Sequence, residues 1–327
     1  MRLRRPTPPR RLGALGTALA AVAVGILAGP AGSAAAVGGP PLATAQATLD
    51  AALHCPASYP HTDKAPVLLV HGTGVDAVMN WEWNYAPALR GQGFDVCTVD
   101  LPGKATGDIQ TAAEYVVNAI DRIQAAAGRK IDVIAHSQGN LEVRWALKFW
   151  PELQGDVDDF VSLGGPVHGT TQGNLFCVLP CAPAATQMSV GSNFLAALNS
   201  GDETPGSVSY TSIYTRDDVV VTPFWTAAMD GARNITVQDL CGVRAVTHVG
   251  LLYDSVTYEL AVDALTHSGT ADPGRLPWYR CLDDPYVPGV SAADLAYAAA
   301  VVDPSAAVAL AAAPAVWNEP PLRPYAR

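Results

Sequence analysis

Charge is what this sequence has least of. Only 15 % of its 327 residues are Asp, Glu, Lys or Arg, while 49 % are hydrophobic. A chain of that balance buries a sizeable core and is not a disordered tail. The basic sign is the scarcer one: 20 Lys and Arg against 30 Asp and Glu give a formal net charge of −10. An acidic chain repels phosphate backbones and anionic surfaces at long range, which excludes nucleic acid as a partner. No internal repeat is present, nor any H-E-x-x-H, P-loop or dinucleotide fingerprint. The sequence therefore points to no metal and no cofactor. The acid pairs Asp158-Asp159 and Asp283-Asp284 read as solvated loops. Nothing marks an obligate protein partner. Loop-forming residues, by contrast, are plentiful, with 29 Gly and 26 Pro.

Residues 1–36 read as a secretory signal peptide. Arg2, Arg4, Arg5, Arg10 and Arg11 precede the uncharged apolar run Leu12 to Ala28, and small residues lead to Ala36, the expected cleavage point. A retained anchor would need about 20 apolar residues, and this run is short and broken by glycines. Arg10-Arg11 leaves a twin-arginine export route open. Five arginines and no acids stand in this leader, so its removal takes the formal charge from −10 to −15. Residues 37–327 form the expected catalytic domain, secreted and extracellular.

All six cysteines, Cys55, Cys97, Cys177, Cys181, Cys241 and Cys281, follow the leader. An even number in an exported chain suggests disulfides, and six cysteines allow about 15 pairings that spacing does not decide. Cys177 and Cys181 are near enough to staple a local loop. A lone C-x3-C is weak support for zinc.

Apolar runs at 66–74, 94–103, 130–135, 159–166, 210–215 and 234–240 read as buried strands, after an irregular lead-in over 37–60. Between them, 111–123 reads as a helix with a Thr111–Glu114 capping box and Ala113, Val116, Val117, Ile120 and Ile123 on one face. Residues 141–150 read as another helix, ended by Pro151. Strands alternating with helices predict an α/β fold with a mostly parallel sheet covered on both faces, and ligands gathered beyond the strands' carboxyl ends. The alanine-rich segment 291–327 predicts a helical C-terminal appendage in two pieces, broken at Pro304.

The stretch "VIAHSQGN" (133–140) places Ser137 where a strand meets a helix, with Gly139 two positions on. A sharp turn there lifts the hydroxyl out of the sheet and aims helix N–H groups at whatever it attacks. Ala135 stands where G-x-S-x-G has its first glycine. A serine nucleophile needs a base, and the base an orienting acid, in the chain order Ser, acid, His. Of the later histidines, His168 follows a strand too soon and His267 sits in a loop. His248 comes shortly after the last strand. The loop after residue 215 offers Asp217 and Asp218 as the acid, with Asp230 and Asp239 weaker. For the oxyanion, the N–H of Gln138 follows the nucleophile, and the loop "HGTG" (71–74) offers Thr73.

The stretches "LDAALHCPASYP", "PVLLVHGTG", "HSQGNLEVRWALKFWP", "AVTHVGLLYDS" and "EPPLRPYAR" resemble the secreted α/β-hydrolase lipases of the Candida antarctica lipase B family and its bacterial relatives. "YTSIYTRDDVVV" and "THVGLLY" also resemble the small Bacillus lipases. The resemblance runs from about Leu49 to the C-terminus. It implies an α/β-hydrolase fold, Ser137, Asp218 and His248 as a metal-free triad, and Thr73 with Gln138 as oxyanion donors. It also implies disulfides Cys55–Cys97 and Cys241–Cys281. The third fungal bridge is missing, and Cys177–Cys181 would replace it elsewhere. His136 stands where the fungal enzyme has tryptophan.

The expected function is a lipase or esterase acting on an ester or lipid substrate at a lipid–water interface. The apolar residues Leu175 to Leu179, Phe224, Trp225, Leu251 and Leu252 are candidates for holding an acyl chain. An acyltransferase or polyester depolymerase would use the same triad. A non-catalytic binding module would be favoured by an altered triad position, and none is altered.

Overall fold

The computed structural model describes residues 38–327. The leader and its cleavage site lie outside the described residues. Among the described residues seven strands form one sheet: β1 (Leu53–His54), β2 (Val67–Val70), β3 (Val96–Val99), β4 (Ile131–His136), β5 (Val157–Leu163), β6 (Ser209–Tyr214) and β7 (Arg233–Thr236). Their order is β1-β3-β2-β4-β5-β6-β7. Only the edge strand β1 runs antiparallel to its neighbour; the remaining pairs are parallel.

Alternation along each strand divides the core in two. Leu68, Val70, Val133 and Phe160 face one cluster with the helices Ile109–Ala127 and Gly139–Phe149. Val67, Leu69, Ile134 and Val161 face the other, with Trp81, Tyr85 and the helix Ser255–Thr266. Both faces are covered, which is why these strands read as continuous apolar runs. Because β2 to β7 are parallel, the loops that follow β2, β4 and β6 open on one side of the sheet. Those loops carry Thr73, Ser137 and Asp218.

Local details differ from the sequence reading. The lead-in contains the helix Gln46–Ala51 and β1. The bond Cys55–Cys97 ties this segment to β3. The helix expected at 111–123 spans Ile109–Ala127, and its cap is Asp108, which accepts from the Gln110 N–H, instead of the Thr111–Glu114 box. Glu114 is drawn away to accept the Thr44 N–H at 2.7 Å. The stretch 234–240 is a strand only to Thr236 and then the short helix Val237–Leu240. Pro304 does not break the C-terminal segment. Helix runs from Ala292 to Ala312 through a π turn at Ala298–Val302, and the widened turn accommodates the proline that follows.

Asp159 also departs from the solvated-loop reading. It lies in β5, whose alternation exposes Asp158 and buries Asp159 beside Asp132 of β4. Burial, then the charge of Asp158, raises Asp159 to about 7, and burial with the charge of Asp159 raises Asp132 well above the carboxylate range. A carboxyl raised on folding contributes stability that is complete below its unfolded value near about 4 and is lost as pH climbs through its folded value. Asp159→Asn removes that titration. It should raise Tm over the unaltered chain by about 2–4 °C at pH 8 and give no gain at pH 4. Equal Tm differences at both pH values would contradict the assignment.

Candidate active site

The corner between β4 and the helix Gly139–Phe149 is built by close backbone contact. Ser137 has φ 54°, a left-handed conformation that costs a non-glycine residue about 1–3 kcal/mol. Its N–H donates to the Leu163 carbonyl at 2.9 Å, and its carbonyl accepts from Asn140 Nδ2 at 2.8 Å. Gly139 lies so near β2 that an added Cβ would come within 2.5 Å of the His71 carbonyl oxygen. A Cβ on Gly72 would stand 2.8 Å from the Cβ of Ser137. The "HGTG" loop is thereby pressed against the serine.

The structure brings Ser137, His248 and Asp218 together although 111 and 30 positions separate the bonded pairs. His248 Nε2 is 2.9 Å from Ser137 Oγ, and His248 Nδ1 is 2.7 Å from Asp218 Oδ2. All three are buried, at 8 %, 5 % and 6 % exposure for Ser137, His248 and Asp218. The other oxygen of Asp218 accepts the Val220 and Val221 N–H groups at 2.8 Å each, which fixes the carboxylate plane. A carboxylate accepts only, so Nδ1 carries the proton and Nε2 is left bare to receive one from the hydroxyl.

The rival residues stand elsewhere. Asp217 accepts from Gln238 Nε2 and the Val246 N–H, both at 3.3 Å. Asp239 pairs with Arg216 on the surface, and the Asp230 N–H donates to Glu203. His168 is 2.9 Å from Glu203, and His267 pairs with Asp263. Thr73 and Ser137 line a common cavity. The Thr73 hydroxyl donates to Gln138 Oε1, and Gln138 Nε2 donates to Glu142 Oε1.

Several contributors were not legible in the motif. His136 lies 4.9 Å ring to ring from His248 and is bracketed by the His248 carbonyl and Asn80 Oδ1, each at 3.3 Å. Burial, then the charge of His248, pushes it well below the usual imidazole range, so it stays neutral beside the triad. Its position next to Ser137 was the available signal. The C-terminal helix supplies Val302, Asp303, Ala306 and Leu310 to the cavity wall. It packs so closely on the "HGTG" loop that a Cβ on Gly74 would come within 2.5 Å of the Ala306 Cα. Its run of alanines permits that approach, and composition alone gave no direction for it.

The cavity measures about 490 Å³ and opens beside apolar side chains. Phe176, Val219 and Val220 line it and are themselves 52 %, 70 % and 40 % exposed. Of the other candidates for an acyl chain, Leu251 and Leu252 are core residues, while Leu175, Val178, Leu179 and Trp225 face solvent. Phe224 packs on a small cluster around Tyr214. Cys177–Cys181 closes the loop on the cavity's rim, and Cys181 is bridged through its backbone to Val316 of the C-terminal segment. Cys241–Cys281 links the end of the Val237–Leu240 helix to the 3-10 helix Trp278–Leu282, on either side of Ser255–Thr266 in the chain. With their cysteines 42 and 40 positions apart in the sequence, the two long-range bonds are worth about 4 kcal/mol each in chain entropy.

An imidazole braced by a carboxylate turns a neighbouring hydroxyl into a nucleophile. At the carboxyl edge of a parallel sheet, that arrangement defines a serine ester hydrolase of the α/β-hydrolase fold. Within that class, residues 64–249 match the family described as Lipase (class 2), and the protein belongs to that family. Lipase B of Pseudozyma antarctica is 30 % identical over 299 residues, covering 88 % of this chain and 86 % of that protein. Among solved structures, Aspergillus fumigatus lipase B superposes with a TM-score of 0.83 at 31 % identity, covering 91 % of this chain and 77 % of that one. The mature form of the Bacillus licheniformis lipase BlEst2 shares the fold, with a TM-score of 0.51 and 16 % identity over 66 % of this chain and 97 % of that one.

Gly139→Ala tests the packed corner. Its methyl has no room against the His71 carbonyl, whereas Gly155 has no neighbour within 4 Å of an added Cβ. Gly139→Ala should lower Tm by several degrees and kcat by at least about tenfold. Gly155→Ala should leave both near the parent values. Thermal melts and ester hydrolysis check this, and a Gly139→Ala enzyme of normal Tm and rate would refute the close contact.

Proposed function

We propose that this protein is a secreted lipase that hydrolyses water-insoluble carboxylic esters, triacylglycerols among them, at a lipid–water interface. Ser137, His248 and Asp218 are assigned as its triad, and the N–H groups of Thr73 and Gln138 as its oxyanion donors. The observation that carries the reading is the 2.9 Å approach of Ser137 Oγ to His248 Nε2 in a cavity with an apolar rim.

The chemistry follows from the hydrogen bonds. His248 Nε2 takes the Ser137 proton as Oγ attacks the ester carbonyl, and Asp218 steadies the imidazolium. The negative oxygen moves toward two N–H groups already in place, each worth about 10²–10³ in rate. His248 then gives its proton to the departing alcohol, leaving an acyl group on Ser137. Water enters, gives a proton to His248 and repeats the attack, and the acid departs as the Ser137 hydroxyl is restored.

Three features support an insoluble substrate. Leu175, Phe176, Val178 and Leu179 stand exposed together at the cavity's edge, an arrangement that marks an apolar docking surface. Val219 and Val220 extend that rim on the loop that carries Asp218. The Ala292–Ala312 helix, another wall of the cavity, has a mean hydropathy of 1.6 with little of its surface buried, and exposes Val308. By length and composition it could cross a membrane; its contacts with the cavity favour a role at the lipid surface. The expected leader and the three disulfides support secretion.

Rates on a ladder of glycerol esters, measured below and above the solubility limit, test the substrate class. Specific activity should rise as emulsion forms, and Ser137→Ala should lower kcat by at least about 10³. Saturation in true solution with no response to emulsion would contradict the interfacial reading. Near-normal turnover by Ser137→Ala would contradict the catalytic one.

A further inference from the structure

The cavity beside Ser137 carries one carboxylate that the reaction scheme does not use. Asp303 lines it from the C-terminal helix. No Lys, no Arg and no other Asp or Glu lines that cavity. Among the described residues no cation pairs with Asp303 and no donor bonds to its side chain. An acid in the first turn of a helix ordinarily answers free N–H groups. That duty is absent here. The helix runs unbroken through the π turn Ala298–Val302, Pro304 has no N–H, and the Asp303 side chain makes no capping bond.

Two contacts fix the side of the cavity on which this carboxylate stands. Asp303 and Ala306 are three positions apart and share a helix face. Ala306 is where the helix meets the "HGTG" loop, since a Cβ on Gly74 would come within 2.5 Å of its Cα. The charge of His248 also reaches the Asp303 carboxyl, opposing the raise that partial burial gives it. The other rim of the cavity, at Phe176, Val219 and Val220, is apolar. His248 Nε2 must reach the alcohol oxygen of the ester to give it a proton. The alcohol portion therefore passes on the Asp303 side, and the apolar rim is left to the acyl chain.

We propose that Asp303 is a specificity-determining residue that makes this cavity favour esters whose alcohol portion carries a positive charge, the class being esters of ammonium-bearing alcohols such as choline. The inference rests on the ester-hydrolase reading above and names a substrate class for the same site. A carboxylate beside apolar walls acts on a nearby charge more strongly than one on an open surface. With no cation of the protein to neutralise it, the substrate supplies the partner. The carboxylate stands there before and during the reaction, so it holds ground state and transition state alike, and its effect falls on KM.

The test is kcat and KM on choline butyrate and on its uncharged isostere 3,3-dimethylbutyl butyrate, at pH 8 and low ionic strength, with the intact enzyme. An ammonium also makes choline the better leaving group, so the quantity read is the change in the charged-to-neutral ratio of kcat/KM on substitution. That ratio should fall by about threefold or more in Asp303→Asn, and further in Asp303→Lys. The net negative chain draws cations from a distance whatever stands at residue 303. Asp283→Asn removes the same charge outside the cavity and should leave the ratio unchanged. About 0.5 M NaCl should narrow the gap between the unaltered enzyme and Asp303→Asn.

An unchanged ratio in folded Asp303→Asn and Asp303→Lys, or an equal fall in Asp283→Asn, overturns the proposal. If Asp303→Asn does not fold, Asp303→Ala decides by the same ratio. Hydrolysis that depends on Ser137 but shows no such change overturns this proposal alone. Failure to hydrolyse either ester, or hydrolysis that survives Ser137→Ala, overturns the underlying reading as well.

Discussion

The structure depends on how closely two backbones approach at one corner of the sheet. β2 leads into His71-Gly72, β4 leads into Ser137, and no side chain fits between them at Gly72 or Gly139. That contact holds Ser137 in a left-handed conformation and sets the "HGTG" loop beside its hydroxyl. The strain is local, and the support for it is spread through the molecule: two apolar clusters clamp the sheet from both faces. A nucleophile held this way needs little reorganisation before it reacts, which is the sense in which the fold contributes to rate.

Around that corner the site is assembled from loops that share only a direction. Parallel strands bring the ends of β2, β4 and β6 to one edge, and His248 arrives from the segment ahead of the Ser255–Thr266 helix. Each arriving group is then fixed by a second interaction. Asp218 is held by two N–H donors, His248 by Asp218, and Thr73 by Gln138. The cavity walls are less constrained by the sheet. They come from the Cys177–Cys181 loop and the C-terminal helix, which meet through the Cys181–Val316 bridge. The Ser-His-Asp geometry and these cavity walls thus come from different parts of the chain.

What the sequence disclosed follows the same division. Strands buried on both faces are long apolar runs, so β2 to β6 were visible from hydrophobicity alone. Ser137 was visible because a strand, a serine and a glycine must occur in fixed order for such a corner to form. Asp218 was not separable from Asp217 by local reading; the difference lies in which carboxylate meets the Val220 and Val221 N–H groups. The edge strand β1 is two residues long and carries no period to detect. Pro304 is ordinarily a helix breaker, and only the π turn ahead of it shows how the helix continues. Glu142 looked like one more helical acid; its burial and its bond to Gln138 depend on the fold around it. Asp159 was misplaced because strand alternation buries one member of an acid pair and exposes the other.

The account's central claim is that His248 activates Ser137 in the folded protein. The most direct measurement is covalent labelling with a fluorophosphonate, followed by peptide mapping. The account predicts one adduct per chain, on Ser137, abolished by unfolding and slowed by at least about 10³ in His248→Ala. Labelling at another residue, or labelling of Ser137 that proceeds equally fast without the imidazole, would contradict it.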